Sequence, residues 1–325
     1  MNSSTTITTT GNIKTAYGES LISGAIDCDG GDPWIMRHGD FYYYSKIEQG
    51  QVVLRRSRNI TDIAAGGSSI IFNDQQSISV LWAPEIHYLF GKWYIYFAGG
   101  EIEDEWEIRP YVLECQGDDP MQDEWIEKGK MVRAEGDEFS FEAFSLDATV
   151  FENKGRWYYI WAEKVGVGKQ ISNLYIAEME NGYTLKTIQV LLTTPDYDWE
   201  RHGFWVNEGP GIIKHNGKIF MTYSASETGI QYCVGMLTAD EDADLLDPRS
   251  WTKERYPVLA TNEEKGIYGP GHNSFTKDEE GNDIIVYHAR TEAEIVGNPL
   301  YNPNRHAMLM KVKWSEDGRP VFDYE

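Results

Sequence analysis

The chain has 325 residues, of which 52 are acidic and 29 basic, giving a net charge of −23 at pH 7. A field of this sign repels phosphate backbones and anionic lipid head groups, so we expect neither nucleic acid nor a membrane as a partner. An uncharged partner such as a neutral sugar is compatible with it. The hydrophobic fraction of 41% and the aromatic fraction of 13% exclude a mainly disordered chain.

The first residues and the cysteines indicate the cellular compartment of the protein. Residues 1–20 have neither a basic segment nor an apolar segment of the kind found in signal peptides. The three cysteines, Cys28, Cys115 and Cys233, are too scattered for a disulfide framework or a metal knuckle. We therefore predict a cytoplasmic protein, or a secreted one if a signal has been removed. The oligomeric state stays open.

Along the chain, one unit recurs five times, each copy an apolar strand, a turn with glycine and an aromatic strand. The copies start at Asp32, Ala83, Asp147, Glu208 and Gly269, between 51 and 64 residues apart. They read DPWIMRHGDFYYYSK, APEIHYLFGKWYIYFAG, DATVFENKGRWYYIWAE, EGPGIIKHNGKIFMTYSA and GPGHNSFTKDEEGNDIIVYHAR. Each copy predicts a β-hairpin.

Residues between the copies supply further strands, for example YVLEC after Arg109 and NLYIAEME after Ser172. About four strands per unit at this period are typical of propeller blades. The sequence therefore predicts an all-β fold, a five-bladed β-propeller forming a single domain over residues 1–325. One helical turn is predicted between Asp240 and Pro248. A β-sandwich is the alternative, but it does not require a hairpin motif to repeat five times.

Three carboxylates occupy related positions in these units. Counted back from the turn glycine of each hairpin, Asp32, Asp147, Glu208 and His272 lie seven to nine residues away. The innermost strands of a propeller surround one channel, so we expect these four side chains near one mouth of it. Single acids at such places usually cap turns. Three converging acids destabilise a fold through repulsion, which favours a functional reason for their presence.

Cleavage of a glycosidic bond needs such a set, with one protonated carboxyl and one ionised carboxylate. Glu208 has the apolar neighbours Trp205 and Val206, which favour the protonated form, so we assign it as general acid. Asp32 precedes a proline and suits a base that activates water. Asp147 then orients the acid and raises its pKa.

Other residues near these acids have two interpretations each. Trp34, Trp82 and Trp205 either stack on sugar faces or fill the wedges between blades. Arg290 either binds sugar hydroxyls or neutralises the acids, and both interpretations place it in the cavity. His272 either ligates an axial metal ion or hydrogen-bonds the third carboxylate. The chemistry itself requires no cofactor, and a structural calcium or sodium ion on the axis is a further expectation.

The motifs resemble those of glycoside hydrolase family 43 over nearly the whole chain. In order along the chain they are DPW, WAPE, SLDAT, NEGP, and GPGHNSF with YHAR. The resemblance implies a five-bladed propeller and inversion of the anomeric centre. It implies that Asp32 is the base, Asp147 the pKa modulator and Glu208 the acid. It also implies that Trp82 and Arg290 line the sugar subsite and that His272 lies on the channel axis, near an ion or a water.

Within that family the chain looks most similar to single-domain, exo-acting α-L-arabinofuranosidases, through GIYGPGHNSF and NPNRHAM. The implied substrate is a neutral arabinan or arabino-oligosaccharide. Leu146 stands in the subsite where xylosidases of the family usually have phenylalanine, which weakens a β-D-xylosidase interpretation. An endo-arabinanase remains an alternative, as does a non-catalytic sugar-binding propeller, although the latter does not need three acids. A retaining fructoside hydrolase would resemble an Arg-Asp-Pro motif that the chain lacks.

Overall fold

The computed structural model describes residues 25–73, 77–165 and 171–324. The prediction about a signal peptide falls on residues 1–20 and lies outside the described residues. Within the described ranges the structure is all-β, as predicted, and its helical parts are short 3-10 helices. Five of these occur there: Ile60–Ala65, Asp198–Glu200, Pro248–Ser250, Glu263–Lys265 and Pro299–Tyr301. The same ranges contain no helix long and apolar enough to cross a membrane.

Two antiparallel sheets of four strands form the first part of the chain. The strands of the first sheet are β1 (Trp34–His38), β2 (Phe41–Glu48), β3 (Gln51–Ser57) and β4 (Gly67–Phe72). Those of the second are β5 (Ile78–Leu89), β6 (Lys92–Glu101), β7 (Asp104–Cys115) and β8 (Trp125–Lys130). In both sheets, strands that follow each other in sequence are neighbours.

The third and fourth units share one sheet, because β11 and β14 pair in parallel over two residue pairs. The third unit comprises β9 (Ser145–Asn153), β10 (Arg156–Val165), β11 (Ile171–Asn181), β12 (Thr184–Leu185) and β13 (Val190–Thr193). The fourth comprises β14 (Trp205–His215), β15 (Lys218–Ala225), β16 (Cys233–Asp240) and β17 (Thr252–Lys253).

The fifth unit has three strands, β18 (Tyr268–Lys277), β19 (Asp283–Arg290) and β20 (His306–Lys311), followed by the pair β21 (Lys313–Trp314) and β22 (Pro320–Val321). The start of the described chain adds to it, since Ile26 N–H donates to the Ala307 carbonyl at 2.9 Å. Ala307 N–H in turn donates to the Asp27 carbonyl at 2.8 Å. A Cβ on Gly30 would lie 2.5 Å from that of Ala307, so only glycine permits this approach.

All five predicted hairpins are confirmed, as β1–β2, β5–β6, β9–β10, β14–β15 and β18–β19. Their turn glycines have positive φ, for example +75° at Gly91 and +79° at Gly155. The helical turn predicted between Asp240 and Pro248 is wrong, since that segment forms turns and a 3-10 helix begins only at Pro248. The Asp244 carboxylate there accepts from Leu246 N–H, a local bond that competes with helix formation.

The core consists of five apolar clusters. Four lie between two units that follow one another, and one joins the third and fourth units and also includes Ala98 and Ile108 of the second. Representative pairs are Leu54 with Phe97, Tyr96 with Trp161, Ile160 with Met221, Phe220 with Tyr287, and Tyr44 with Val286. The last pair joins the fifth unit to the first. The first strands pack in the same cyclic order, with β1 beside β5 and β18, β9 beside β5 and β14, and β14 beside β18.

The first strands share a backbone irregularity at their start. A residue with left-handed φ occurs in or next to each: Asp32 (+53°), Ala83 (+44°), Asp147 (+51°), Gly209 (+53°) and His272 (+42°). The register of β5, β9, β14 and β18 shifts at these places, which marks β-bulges. Strain of this kind clusters at functional sites, and three of these residues, Asp32, Asp147 and His272, have polar side chains.

Candidate active site

A cavity of about 480 Å³ lies where the first strands meet, within the size range of small-ligand sites. Asp32, Asp147, Glu208 and His272 all line it. The structure therefore brings together the four side chains that the repeat predicted to converge. Each of these side chains comes from a different unit, and each lies at or beside a residue with left-handed φ.

Asp32 lies between two cationic groups. Its Oδ1 is 3.3 Å from Nη1 of Arg305 and 3.2 Å from Nδ1 of His272. Burial raises the pKa of Asp32, but the charges of His272 and Arg305 outweigh it and hold that pKa well below its usual range. The side chain is 23% exposed and opens into the cavity. Asp32 is thus an ionised carboxylate that a water can reach.

His288 fixes the backbone of Asp32. Burial lowers the pKa of His288 to about 4, so its ring is neutral at pH 7. Asp32 N–H donates to Nδ1 of this ring at 3.2 Å, which assigns the proton of the neutral ring to Nε2. The 3.4 Å separation between Nδ1 and the Asp32 carboxylate is therefore a contact of two acceptors and not an ion pair.

Asp147 and Glu208 form an electrostatically linked pair. Burial is the main reason that the pKa of each carboxyl is raised, and repulsion from neighbouring acids adds to it. Asp147 Oδ2 accepts from Gly209 N–H at 3.1 Å and lies 3.7 Å from Nδ1 of His272, and both contacts favour its ionised form. Since the pKa of both carboxyls is raised, that of Asp147 to about 8, the pair retains a proton at neutral pH. Glu208 Oε1 accepts from the Tyr232 hydroxyl at 2.9 Å.

His272 is the positive centre of the site. Burial opposes its charge, but Asp147 and Asp32 outweigh burial and raise the pKa of His272 to about 10. An imidazolium has no lone pair for a metal. In the described ranges, no group of three or more His, Cys, Asp or Glu side chains is arranged to hold a metal ion. The axial ion expected from the sequence stays a prediction, and the protonated ring supplies positive charge facing the carboxylates.

The residues predicted to contact sugar divide into two groups. Trp82 and Leu146 line the cavity. Trp34 does not, since its Nε1 donates to the Ile86 carbonyl at 2.8 Å and its ring packs 4.5 Å from that of His87. Trp205 is also outside the lining, with the Arg201 guanidinium 4.7 Å from its ring centre. Trp34 packs on the apolar cluster between the first two units, which matches the packing interpretation, while the two interpretations of Trp205 stay predictions.

Arg290 lies beneath the cavity wall and not in its lining, which corrects the predicted position. It is 1% exposed, and its guanidinium donates to Asn302 Oδ1 and to the carbonyls of Asn304, Thr228 and Pro299. These bonds hold the loop 291–305 against the fourth unit. The arginine that faces the acids is Arg305, fifteen residues further along the chain.

Sequence reasoning missed Arg305, Lys164 and Tyr232. Arg305 lies in NPNRHAM, a motif that entered only through the family resemblance. A basic residue in the loop after the last hairpin is the feature of the sequence that could have indicated a cation near the acids. Lys164 follows the aromatic residues of the third hairpin. Alternation along a strand predicts whether a side chain is buried or exposed, but it does not predict that the side chain lines a cavity. Tyr232 precedes β16, and no pattern in the sequence links it to Glu208.

The chain is similar to proteins of one known family. Residues 25–320 match the model of Glycosyl hydrolases family 43, and the chain belongs to that family. It is 44% identical over 298 residues to an extracellular exo-alpha-(1->5)-L-arabinofuranosidase of Streptomyces avermitilis, covering 90% of this chain and 61% of the relative. It is 46% identical over 275 residues to a protein of the same description from Streptomyces chartreusis, covering 82% of each chain.

Among solved structures, an alpha-L-arabinofuranosidase from Lactobacillus brevis is similar with a TM-score of 0.82 and 42% identity. The match covers 91% of this chain and 96% of that structure. This chain thus spans about three fifths of the Streptomyces avermitilis relative but nearly all of the Lactobacillus brevis structure.

Proposed function

We propose that this chain is an inverting, exo-acting α-L-arabinofuranosidase that releases L-arabinose from neutral arabinan or arabino-oligosaccharides. The observation that carries the proposal is the pair Asp32 and Glu208, two carboxyl groups in one cavity whose pKa values are shifted in opposite directions. Such a pair is what acid and base catalysis at one bond requires. The substrate is proposed from the relatives, which are described as arabinofuranosidases.

The proposed scaffold is a five-bladed β-propeller, each repeat unit forming one blade. Its support is the cyclic packing of β1, β5, β9, β14 and β18 and the five clusters between successive units. Hydrogen bonds from Ile26 and Ala307 join the start of the described chain to the last blade. A ring of this kind leaves few free sheet edges and gathers side chains from every blade around one axis.

In the proposed reaction, Asp32 takes a proton from a water that attacks the anomeric carbon. Glu208 donates its proton to the leaving glycosidic oxygen on the opposite side of the sugar. Arg305 and His272 keep Asp32 ionised before the water arrives. Asp147 holds Gly209 N–H and the His272 ring, and its charge helps to keep Glu208 protonated. After each turnover the proton gained by Asp32 leaves and Glu208 is reprotonated from solvent.

The test is to incubate the protein with aryl α-L-arabinofuranoside and aryl β-D-xyloside and to follow the anomer released first by NMR. We expect arabinose, initially as the β-anomer, at a rate that depends on Asp32. Xylose as the dominant product would refute the proposed substrate. Arabinose appearing first as the α-anomer would refute inversion, and the Asp32→Asn variant serves as the background control.

The location is a separate proposal. The two Streptomyces relatives are described as extracellular, and we propose secretion as the alternative to the cytoplasmic location predicted from the sequence. Detection of the native protein in culture medium or in the cell fraction distinguishes the two.

A further inference from the structure

One wall of the cavity is formed by the segment before β9 and the end of β10. Its cavity-facing residues are Phe144, Leu146 and Lys164. The Lys164 Nζ lies 3.9 Å from the centre of the Phe144 ring, a cation–π contact. In the described part of the chain, no hydrogen bond or ion pair involves that ammonium group, so its three donors face the cavity.

This wall is held firmly from behind. The buried Glu163 carboxylate accepts from Phe141 N–H and Ala143 N–H at 3.0 Å each, and from Trp161 Nε1 at 2.9 Å. Lys164 N–H donates to the Phe144 carbonyl at 2.9 Å. The position of Phe144 and the start of the Lys164 side chain are therefore set before any ligand binds, which lowers the entropic cost of binding.

The wall belongs to the Glu208 side of the cavity. Lys164 pairs with Ser172 of β11, and Ser172 pairs with Val206 of β14, two residues before Glu208. The Glu208 carboxylate accordingly favours the charged form of Lys164, against the burial that lowers its pKa. Three aromatic rings form a row that begins beside Lys164. The centre of the Phe144 ring lies 6.2 Å from that of Trp82, and the centre of the Trp82 ring lies 6.1 Å from that of Trp106. Trp106 lines the cavity and is 52% exposed, so this row of rings reaches solvent.

We propose that Lys164 and Trp106, with Phe144 between them, form the subsite that binds the sugar of the leaving group. The inference rests on the proposed function, because the general acid Glu208 must touch the leaving oxygen and so defines the side on which the leaving group lies. Aromatic rings cover the apolar face of a sugar, and the Lys164 ammonium donates to its hydroxyls.

The test compares two substrates that share the arabinofuranosyl group and differ in the leaving group: α-1,5-arabinobiose and p-nitrophenyl α-L-arabinofuranoside. For Lys164→Met we expect kcat/KM on arabinobiose to fall about tenfold more than on the aryl substrate, since only the sugar offers several hydroxyls. The loss should lie mainly in KM. Lys164→Arg, which keeps a donor, should recover most of it.

Trp106→Ala is the second variant, chosen because the side chain is half-exposed and its removal leaves the core intact. We expect KM for arabinobiose to rise about fivefold, the size of one aromatic contact. Lys218→Met and Tyr256→Ala are the matched controls, because these exposed side chains lie outside the cavity. Both should leave the kinetics on both substrates as in the wild type.

Equal losses on both substrates for Lys164→Met would overturn the proposal, because they indicate an effect on folding or on the arabinosyl side of the site. An effect through Glu208 would also be larger on arabinobiose, but it would lie in kcat, so a loss that lies in kcat and leaves KM unchanged would overturn the proposal as well. The absence of any change would overturn it as well. If the wild type cleaves neither substrate, the proposed function itself fails, and that result is seen before any variant is compared.

Discussion

Asp32 and Glu208 are both carboxyl groups at the start of a first strand, and both open into the same cavity, yet their surroundings differ. Asp32 has the Arg305 guanidinium and the His272 ring within 3.3 Å. Glu208 accepts from the neutral hydroxyl of Tyr232, and the charge of His272 that acts on it does not overcome burial. Burial raises the pKa of both groups, and only for Asp32 do the neighbouring cations reverse the effect.

The comparison teaches that burial alone does not assign acid and base. Arg305 does so, because it favours the ionised form of Asp32, whereas the charge of His272 favours the ionised forms of both Asp32 and Glu208. Each variant described next changes Asp32 and its surroundings, or Glu208 and its surroundings, but not both.

The largest effect is expected for Asp32→Asn, which removes the ionised carboxylate and keeps its shape. We expect kcat to fall by about 10³- to 10⁴-fold on every substrate, whatever the leaving group, because the attacking water loses its base. Steady-state kinetics on the aryl and disaccharide substrates measure this. Asp40→Asn, an exposed surface carboxylate, is the control. Near-native turnover of Asp32→Asn would refute the assignment of the base.

Glu208→Gln should have an effect that depends on the leaving group. A poor leaving group needs the proton, so activity on arabinobiose should fall by about 10²- to 10³-fold. Activity on an aryl arabinofuranoside with an acidic phenol should fall much less. A plot of log kcat against leaving-group pKa should become steeper in the variant. An unchanged slope would contradict the role of Glu208 as acid.

Arg305→Met removes one of the two cations beside Asp32. The pKa of Asp32 should rise, so the carboxylate is protonated at a higher pH and the acid limb of the kcat/KM profile moves upward. At a pH on that limb, activity should be about tenfold lower than in the wild type. Arg319→Met, which disturbs an ion pair with Glu254 on the surface, provides the comparison. An acid limb that stays in place would mean that Arg305 does not control the base.

The smallest effect is expected for Tyr232→Phe. The Tyr232 hydroxyl lowers the pKa of Glu208 by donating to its ionised form, so the variant should raise that pKa and move the alkaline limb to higher pH. The turnover number should change by about threefold, in line with one hydrogen bond. Phenylalanine retains the stacking on His288 at 5.5 Å. Tyr256→Phe is the exposed control, and an unmoved alkaline limb would show that the hydroxyl does not affect the acid.

Much of the fold and part of the site could be predicted because their signals are local. Turn glycines such as Gly155 and alternating aromatic strands identify five hairpins, and equal positions in the hairpins bring Asp32, Asp147 and Glu208 together. The predictions for Trp34 and Arg290 were less successful. The sequence pattern around a large side chain is the same whether that side chain faces the ligand or the core. A β-bulge inserts one extra residue into a strand, and the residues beyond it then face the opposite side of the sheet from the one that simple alternation predicts.

The sequence by itself determined the number and order of the hairpins and the three acids that meet at one end. Only the tertiary structure decided which acid is ionised, because the deciding groups come from distant parts of the chain. Arg305 is 273 residues from Asp32, and His288, which holds the backbone of Asp32, is 256 residues away. Electrostatic energy depends on separation in space. These separations exist only once the last unit has packed against the first.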